Sequence, residues 1–251
     1  EMCIRDRITT SGRQLTSRQG LGDWYPSWIG APESSIGVLV HSTEEAVEEI
    51  RLQVKNRVDL IKFTADGLNR SPDGELMACF NQSEVNAIVE ESHRLGRKVI
   101  SHSRGREAVL QCAKAGVDII FHAFEMDDEA LEAVVESGAA LSPAFTFMLN
   151  TVDFTRSSDP CYKWRPGLNR QLVDDACEML IKAREAGVKF MVGTDSGFAI
   201  TPYGEWHARE LEIMVDFLGF SSADALVATT SGNTSILRER DNVGRLAEGA
   251  F

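Results

Sequence analysis

Four short apolar segments each carry, at or near their C-terminal ends, a residue able to bind a divalent metal. They are Lys62 in VDLIKFTADG (58–67), His102 in KVISHSRG (98–105), His122 in VDIIFHAF (117–124) and Asp195 in KFMVGTDSG (189–197). Imidazole is the commonest neutral ligand for zinc and similar ions. Two histidines that each follow an apolar run and precede a helical pattern read as a ligand pair. The competing account makes them core histidines bonded to nearby backbone. Asp195 can bind metal and shuttle a proton from bound water, or it can simply bond its own backbone in a glycine-rich turn. Lys62 interrupts an otherwise apolar run, Leu60 to Phe63, where an ammonium is costly to desolvate. Burial lowers its pKa and leaves a nucleophilic amine. Three fates are open to that amine: a carbamate that bridges two metals, a Schiff base with a carbonyl substrate, or a stem that snorkels its charge to water.

Other side chains are candidates for substrate contact. Arg104, just beyond His102, suits a substrate carboxylate, since a planar guanidinium binds that group in two places; a solvated surface arginine is the alternative. Tyr203 and His207 lie near the segment that carries Asp195, and packing is the plainer role for His207. His93 sits in a helical pattern and reads as structural. Trp24, Tyr25, Trp28, Phe145 and Phe147 fall near predicted loops, where aromatics either line a pocket or pack.

The elements that must position these residues follow from periodicity. Short β-branched runs alternate with longer helical patterns, which means βαβ units and a parallel sheet. Strands are predicted over 58–65, 98–103, 118–123, 140–145 and 189–195, with a weaker sixth near 4–10. Helices are predicted over 44–56 (capped by Thr43), 83–95 (capped by Ser83), 105–115, 127–137, 169–186, 206–219 and 222–230, with a loop over 146–167. In an α/β barrel all strands point the same way, so their C-terminal ends share one face, where such folds place their chemistry. A closed barrel needs eight strands. The expectation is therefore a single domain over 1–251, an incomplete TIM-like (β/α)8 barrel that lacks its first strands.

Composition narrows the partners. The chain has 251 residues with 26 basic and 38 acidic side chains, a net charge of −12. That argues against nucleic acid and anionic membrane. The five cysteines are scattered and form no CxxC pair, so a disulfide framework or cysteine zinc site is not expected. No apolar run approaches the ~20 residues of a membrane span, and no signal peptide is visible. A cytoplasmic protein acting on a small molecule or short peptide is expected, with a homo-oligomer allowed.

The ordered set VDLIKF (58–63), SHRLGRKVISH (92–102), AGVDIIFH (115–122), GVKFMVGTD (187–195) and TPYGEWHARELE (201–212) resembles the amidohydrolase superfamily. The likeness is to the metal-dependent hydrolases related to imidazolonepropionase and to Xaa-Pro dipeptidases (prolidases), from about residue 35 almost to the end. The resemblance implies a carboxylated lysine at Lys62 bridging two metals and His102 and His122 on the second metal. It implies Asp195 on the first metal and acting as proton shuttle. It implies zinc, one or two ions in the full-length protein, and cleavage of a C–N bond through metal-activated hydroxide. The substrate would be a cyclic amide, a dipeptide or an N-acyl amino acid. Three departures stand beside it. The family's first strand carries His-x-His, and none occurs here; Phe121 and Ala123 flank His122 where relatives often show Glu and Gly; and the family's flanking β-sandwich is not represented. The chain thus reads as a member truncated at both ends. The alternatives are a class I aldolase-like barrel with Lys62 as Schiff-base nucleophile, and a catalytically inactive fragment.

Overall fold

The computed structural model describes residues 8–23, 25–29, 36–154, 170–197, 200–237 and 242–250. Its centre is a parallel six-stranded sheet built from β1 (Gln14–Thr16), β2 (Gly37–Leu39), β3 (Leu60–Thr64), β6 (Lys98–Gly105), β7 (Ile119–Glu125) and β8 (Ala140–Ser142), in the order β2-β1-β3-β6-β7-β8. A short antiparallel hairpin, β4 (Asp66–Arg70) and β5 (Leu76–Ala78), leaves the end of β3. Helices α1 (Thr43–Lys55), α2 (Gln82–Arg94), α3 (Arg106–Ala115), α4 (Asp128–Ser137), α5 (Thr146–Phe154), α6 (Arg170–Glu185), α7 (His207–Asp216) and α8 (Ser222–Thr229) complete the α/β architecture.

Strand period two divides the sheet's apolar residues between two cores. Ile61, Phe63, Val99, Ile120 and Leu141 face the helices and join the large core with Ile50, Ile88, Val109 and Leu180. Leu60, Ile100, Ile119, Ala140 and Met191 face the other way and form a second, small core. Two residues further along these same chain segments come Lys62, His102, Phe121, Ser142 and Gly193. The small core is therefore the floor beneath a polar layer, as in the stacked interior of a barrel.

The helices form where amphipathic stripes meet good caps. The cap of α1 is Ser42, whose hydroxyl accepts from Glu45 N at 3.2 Å, not Thr43. The cap of α2 is Asn81 in a reciprocal box with Glu84, not Ser83. Both shifts are one or two residues, because Thr43 and Ser83 have already entered the helical turn.

Larger differences concern the strands. The pattern near 4–10 forms no strand over its described part, 8–10, and residues 4–7 lie outside the described residues. The strands ahead of β3 are instead β1 and β2, three residues each, too short to show a periodicity. The stretch 140–145 is strand only to Ser142, and 146–167 begins with α5. That helix is buried on most sides, including at the polar Thr146, Asn150 and Thr151, and shows no clear amphipathic stripe. Residues 155–167 of that stretch, residues 168–169 and Trp24 lie outside the described residues. Residues 189–195 form a single bridge, Leu141 to Phe190, rather than a strand. Past it, the side chain of Asn233 replaces a neighbouring strand: Val192 N donates to Oδ1 at 3.0 Å and Nδ2 donates to Val192 O at 2.8 Å. Among the described residues no ladder joins β2 to the 190 segment, so the barrel is not closed. None of the described helices is long and apolar enough to cross a membrane.

Candidate active site

Lys62, His102 and His122 come together on the adjacent strands β3, β6 and β7, within the strands rather than at their ends. The two imidazole rings meet edge to face with centroids 4.6 Å apart. Lys62 Nζ lies 5.4 Å from the centre of the Phe121 ring, on the strand that carries His122. The two histidines are not at equivalent positions. His102 is in register with Phe121, and His122 with Ser103. By alternation His122 belongs on the helix-facing side. It reaches the site because it takes a left-handed backbone, φ +79°, followed by Ala123 at +53°. For a non-glycine residue such a conformation costs about 1–2 kcal/mol, and the surroundings must hold it.

Each histidine has one nitrogen facing an acceptor of the protein. His122 Nδ1 lies 3.2 Å from Pro143 O. A carbonyl only accepts, so Nδ1 carries the proton and Nε2 the lone pair. His102 Nε2 lies 3.4 Å from Asp66 Oδ1, a contact that falls short of a well-formed hydrogen bond and leaves this buried atom without one. A bare lone pair beside an ionised carboxylate is repulsive, so the proton belongs on Nε2 and the lone pair on Nδ1. The pair thus presents opposite nitrogens. Burial, with Arg104 and Lys62 nearby, depresses the basicity of both rings; Asp66 opposes this at His102 and Pro143 opposes it at His122. Neutral imidazole is the form that binds metal.

Sequence inspection passed over Asp66. Its side chain is fully buried, accepts from the backbone N–H of Gly105 at 2.9 Å and from that of Arg104, and meets Arg104 Nε at 3.3 Å. Burial alone would push its carboxyl up, but His102, Arg104 and the Gly105 N–H outweigh that and hold it at about 2. Arg104 also donates to Gly67 O, so its guanidinium is engaged within the protein. Burial pushes the Lys62 amine down, and the charge of Asp195 partly restores it. Lys62 makes no hydrogen bond among the described residues.

Asp195 is exposed, with φ +49°, between Thr194 and Ser196, whose hydroxyls meet at 2.7 Å. Its charge acts on both Lys62 and Glu210, which sets it on the same rim. Tyr203 and His207 are both exposed, and the Tyr203 ring lies against Gly197. Phe145 is fully buried against Phe124, with ring centres 5.1 Å apart, so it packs and lines no opening. Among the described residues no three His, Cys, Asp or Glu side chains are grouped closely enough to hold a metal. The two imidazoles are a donor pair suited to a borderline ion such as zinc, and Lys62 is the amine nearest to them on this rim.

Residues 18–251 match the model of the amidohydrolase family. The chain belongs to that family. It is 28% identical over 142 residues to an uncharacterized protein of Mycobacterium tuberculosis strain H37Rv, covering 56% of this chain and 37% of that one. Among solved structures it resembles the A. niger ochratoxinase (25% identity, TM-score 0.78, 96% of this chain and 57% of that one). It also resembles a Xaa-Pro dipeptidase solved with methionine in its active site (25% identity, TM-score 0.76, 96% and 59%). The amidohydrolase chain thus spans less than two thirds of each of these proteins.

Proposed function

We propose that this chain carries the second-metal half of a hydrolase that cleaves an amide or peptide C–N bond of a small substrate: a cyclic amide, a dipeptide or an N-acyl amino acid. The observation that carries the proposal is the pair of buried imidazoles meeting edge to face, His122 held through Nδ1 by Pro143 O and His102 set beside Asp66, next to a half-buried lysine whose amine is pushed down by desolvation. Family membership supports it, as does likeness to an ochratoxinase and a Xaa-Pro dipeptidase. A Schiff-base role for Lys62 leaves the two histidines without a task.

His102 Nδ1 and His122 Nε2 would hold the metal, zinc in this proposal. Lys62, as the neutral amine or its carbamate, would supply the third donor. When bound, the metal supplies an activated water and polarises the scissile carbonyl. The chain's own residues do the rest. Asp66 and Pro143 O fix the two imidazoles. The Asp195 carboxylate, exposed at the rim, takes a proton from the attacking water and returns it to the leaving nitrogen. Tyr203 and His207, exposed nearby, are available to the substrate, and Arg104 less so because Asp66 holds it.

The test is metal content of the purified chain with zinc supplied, followed by hydrolysis of Xaa-Pro dipeptides and N-acyl amino acids. Wild type should bind zinc, and His102→Ala and His122→Ala should each lose it. Zinc content equal in wild type and both variants would overturn the proposal.

A further inference from the structure

The structure assigns Glu210 as a positioning residue: from α7 it holds the turn after β8 whose carbonyl, Pro143 O, fixes the His122 ring. The inference rests on the metal-site proposal for its use but not for its test. Glu210 is 2% exposed. Its Oε1 accepts from Phe145 N at 2.8 Å, and its Oε2 from Thr146 N at 2.8 Å and from the Thr146 hydroxyl. These are the N–H groups at the entry of α5. A carboxylate at a helix N-terminus satisfies orphan donors and is favoured by the dipole. Here it comes from a helix more than sixty residues away.

Between its two anchors the chain is strained. Pro143 O accepts from His122 Nδ1, Phe145 N donates to Glu210, and the residue between them, Ala144, has φ +50°. A non-glycine residue keeps a left-handed backbone only when its surroundings over-determine it. Remove the Glu210 clamp and Ala144 relaxes. The Pro143 carbonyl then swings, and His122 loses the partner that fixes its tautomer and the direction of its Nε2 lone pair. Partners one step outside the ligands typically change metal affinity or activity by about 10–100-fold.

The experiment uses the whole chain, metal-free, with 15N-labelled histidine, and reads the two His122 ring nitrogens by NMR. In wild type Nδ1 should be the protonated nitrogen. In Glu210→Gln the two nitrogens should move toward averaged values, while His41 and His93 stay unchanged. In Glu210→Gln the amide NH2 opposes a backbone N–H, so that variant is the disruptive one. The double variant with Ala144→Gly removes the strain, and it should fold and recover the wild-type tautomer. Zinc affinity, measured against a competing chelator, should fall by about tenfold or more in Glu210→Gln and recover in the double variant. A folded Glu210→Gln with the wild-type tautomer would overturn the assignment, and so would a double variant as scrambled as the single. Wild type that shows the expected tautomer pattern but binds no zinc would sink the metal proposal alone.

Discussion

Replacing Asp66 by Asn keeps the shape of the side chain and removes its charge. The ionised carboxylate gathers two backbone N–H groups, the Arg104 guanidinium and His102 Nε2. A carboxyl moved from 3.8 to about 2 stabilises the fold by roughly 2–3 kcal/mol when ionised. The amide does further harm: its NH2 opposes a backbone N–H, and Arg104, mostly buried, loses its counter-charge. Removing one partner of a buried pair typically costs about 3–5 kcal/mol. We expect a loss in that range near pH 7, read from urea unfolding followed by tryptophan fluorescence. The sign of the pH dependence follows from the depressed pKa. The Asp66 contribution is complete above 3.8 and is lost as pH falls from 3.8 to about 2. The gap between wild type and Asp66→Asn should therefore narrow by roughly 2–3 kcal/mol across that window. A gap under about 1 kcal/mol at neutral pH, against the range expected for a buried pair, or a gap constant from pH 5 to pH 2, would refute the reasoning.

Asp195→Asn should leave the unfolding midpoint near that of wild type, since the side chain is exposed, and lower kcat by about 10²–10⁴-fold; turnover near wild type would remove the proton-shuttle role. Gly67→Ala should cost about 3 kcal/mol or fail to fold, because a Cβ there would sit 1.7 Å from the backbone oxygen of Gln19, overpacking with no side chain to yield; a wild-type melt would contradict the close approach of β4 to the chain after β1. Asn233→Ala should cost about 2 kcal/mol by leaving both backbone groups of Val192 unpaired, and amide exchange at Val192 should quicken. Exchange there unchanged would mean that Asn233 does not stand in for a strand.

The sequence carried the helices and the central strands because amphipathic stripes and apolar runs are local signals. Strand β3 with Lys62 and strand β6 with His102 were legible for that reason. What went unread depends on contacts distant in the chain. Asp66 looks like a turn residue until β6 brings Arg104 and His102 to it. The entry of α5 is met by Glu210, which reaches it from α7. The 190 segment reads as a strand, yet beyond its single bridge a side chain takes the place of a partner backbone. His122 was found as a residue, but not its register: nothing in the pattern of apolar residues marks a left-handed bend at 122.

The distribution of such bends is informative in itself. At the rim where helices run back into strands, left-handed positions are filled mostly by glycine, as at Gly116 before β7 and Gly138 before β8, with Arg57 the exception. At glycine the conformation carries no steric penalty. Toward the opposite rim the non-glycine left-handed residues are Gln19 after β1, His122 and Ala123 within β7, Ala144 after β8 and Asp195 after the 190 bridge, with Gly197 close by at φ +127°. Each of these five side-chain-bearing residues costs about 1–2 kcal/mol. Of the non-glycine residues with positive φ among those described, only Arg57, just after α1, lies elsewhere. Glycine at these positions would relieve the strain and also free the backbone. At 122 and 195 it would remove the imidazole and the carboxylate as well. Strain concentrated toward the rim that carries Lys62 and His102, at five of the six non-glycine left-handed residues described, and opposed there by Glu210 and the Pro143 carbonyl, is what a site requires when side-chain direction matters more than stability. The two rims have the same topology and differ in chemistry, and the strain follows the chemistry.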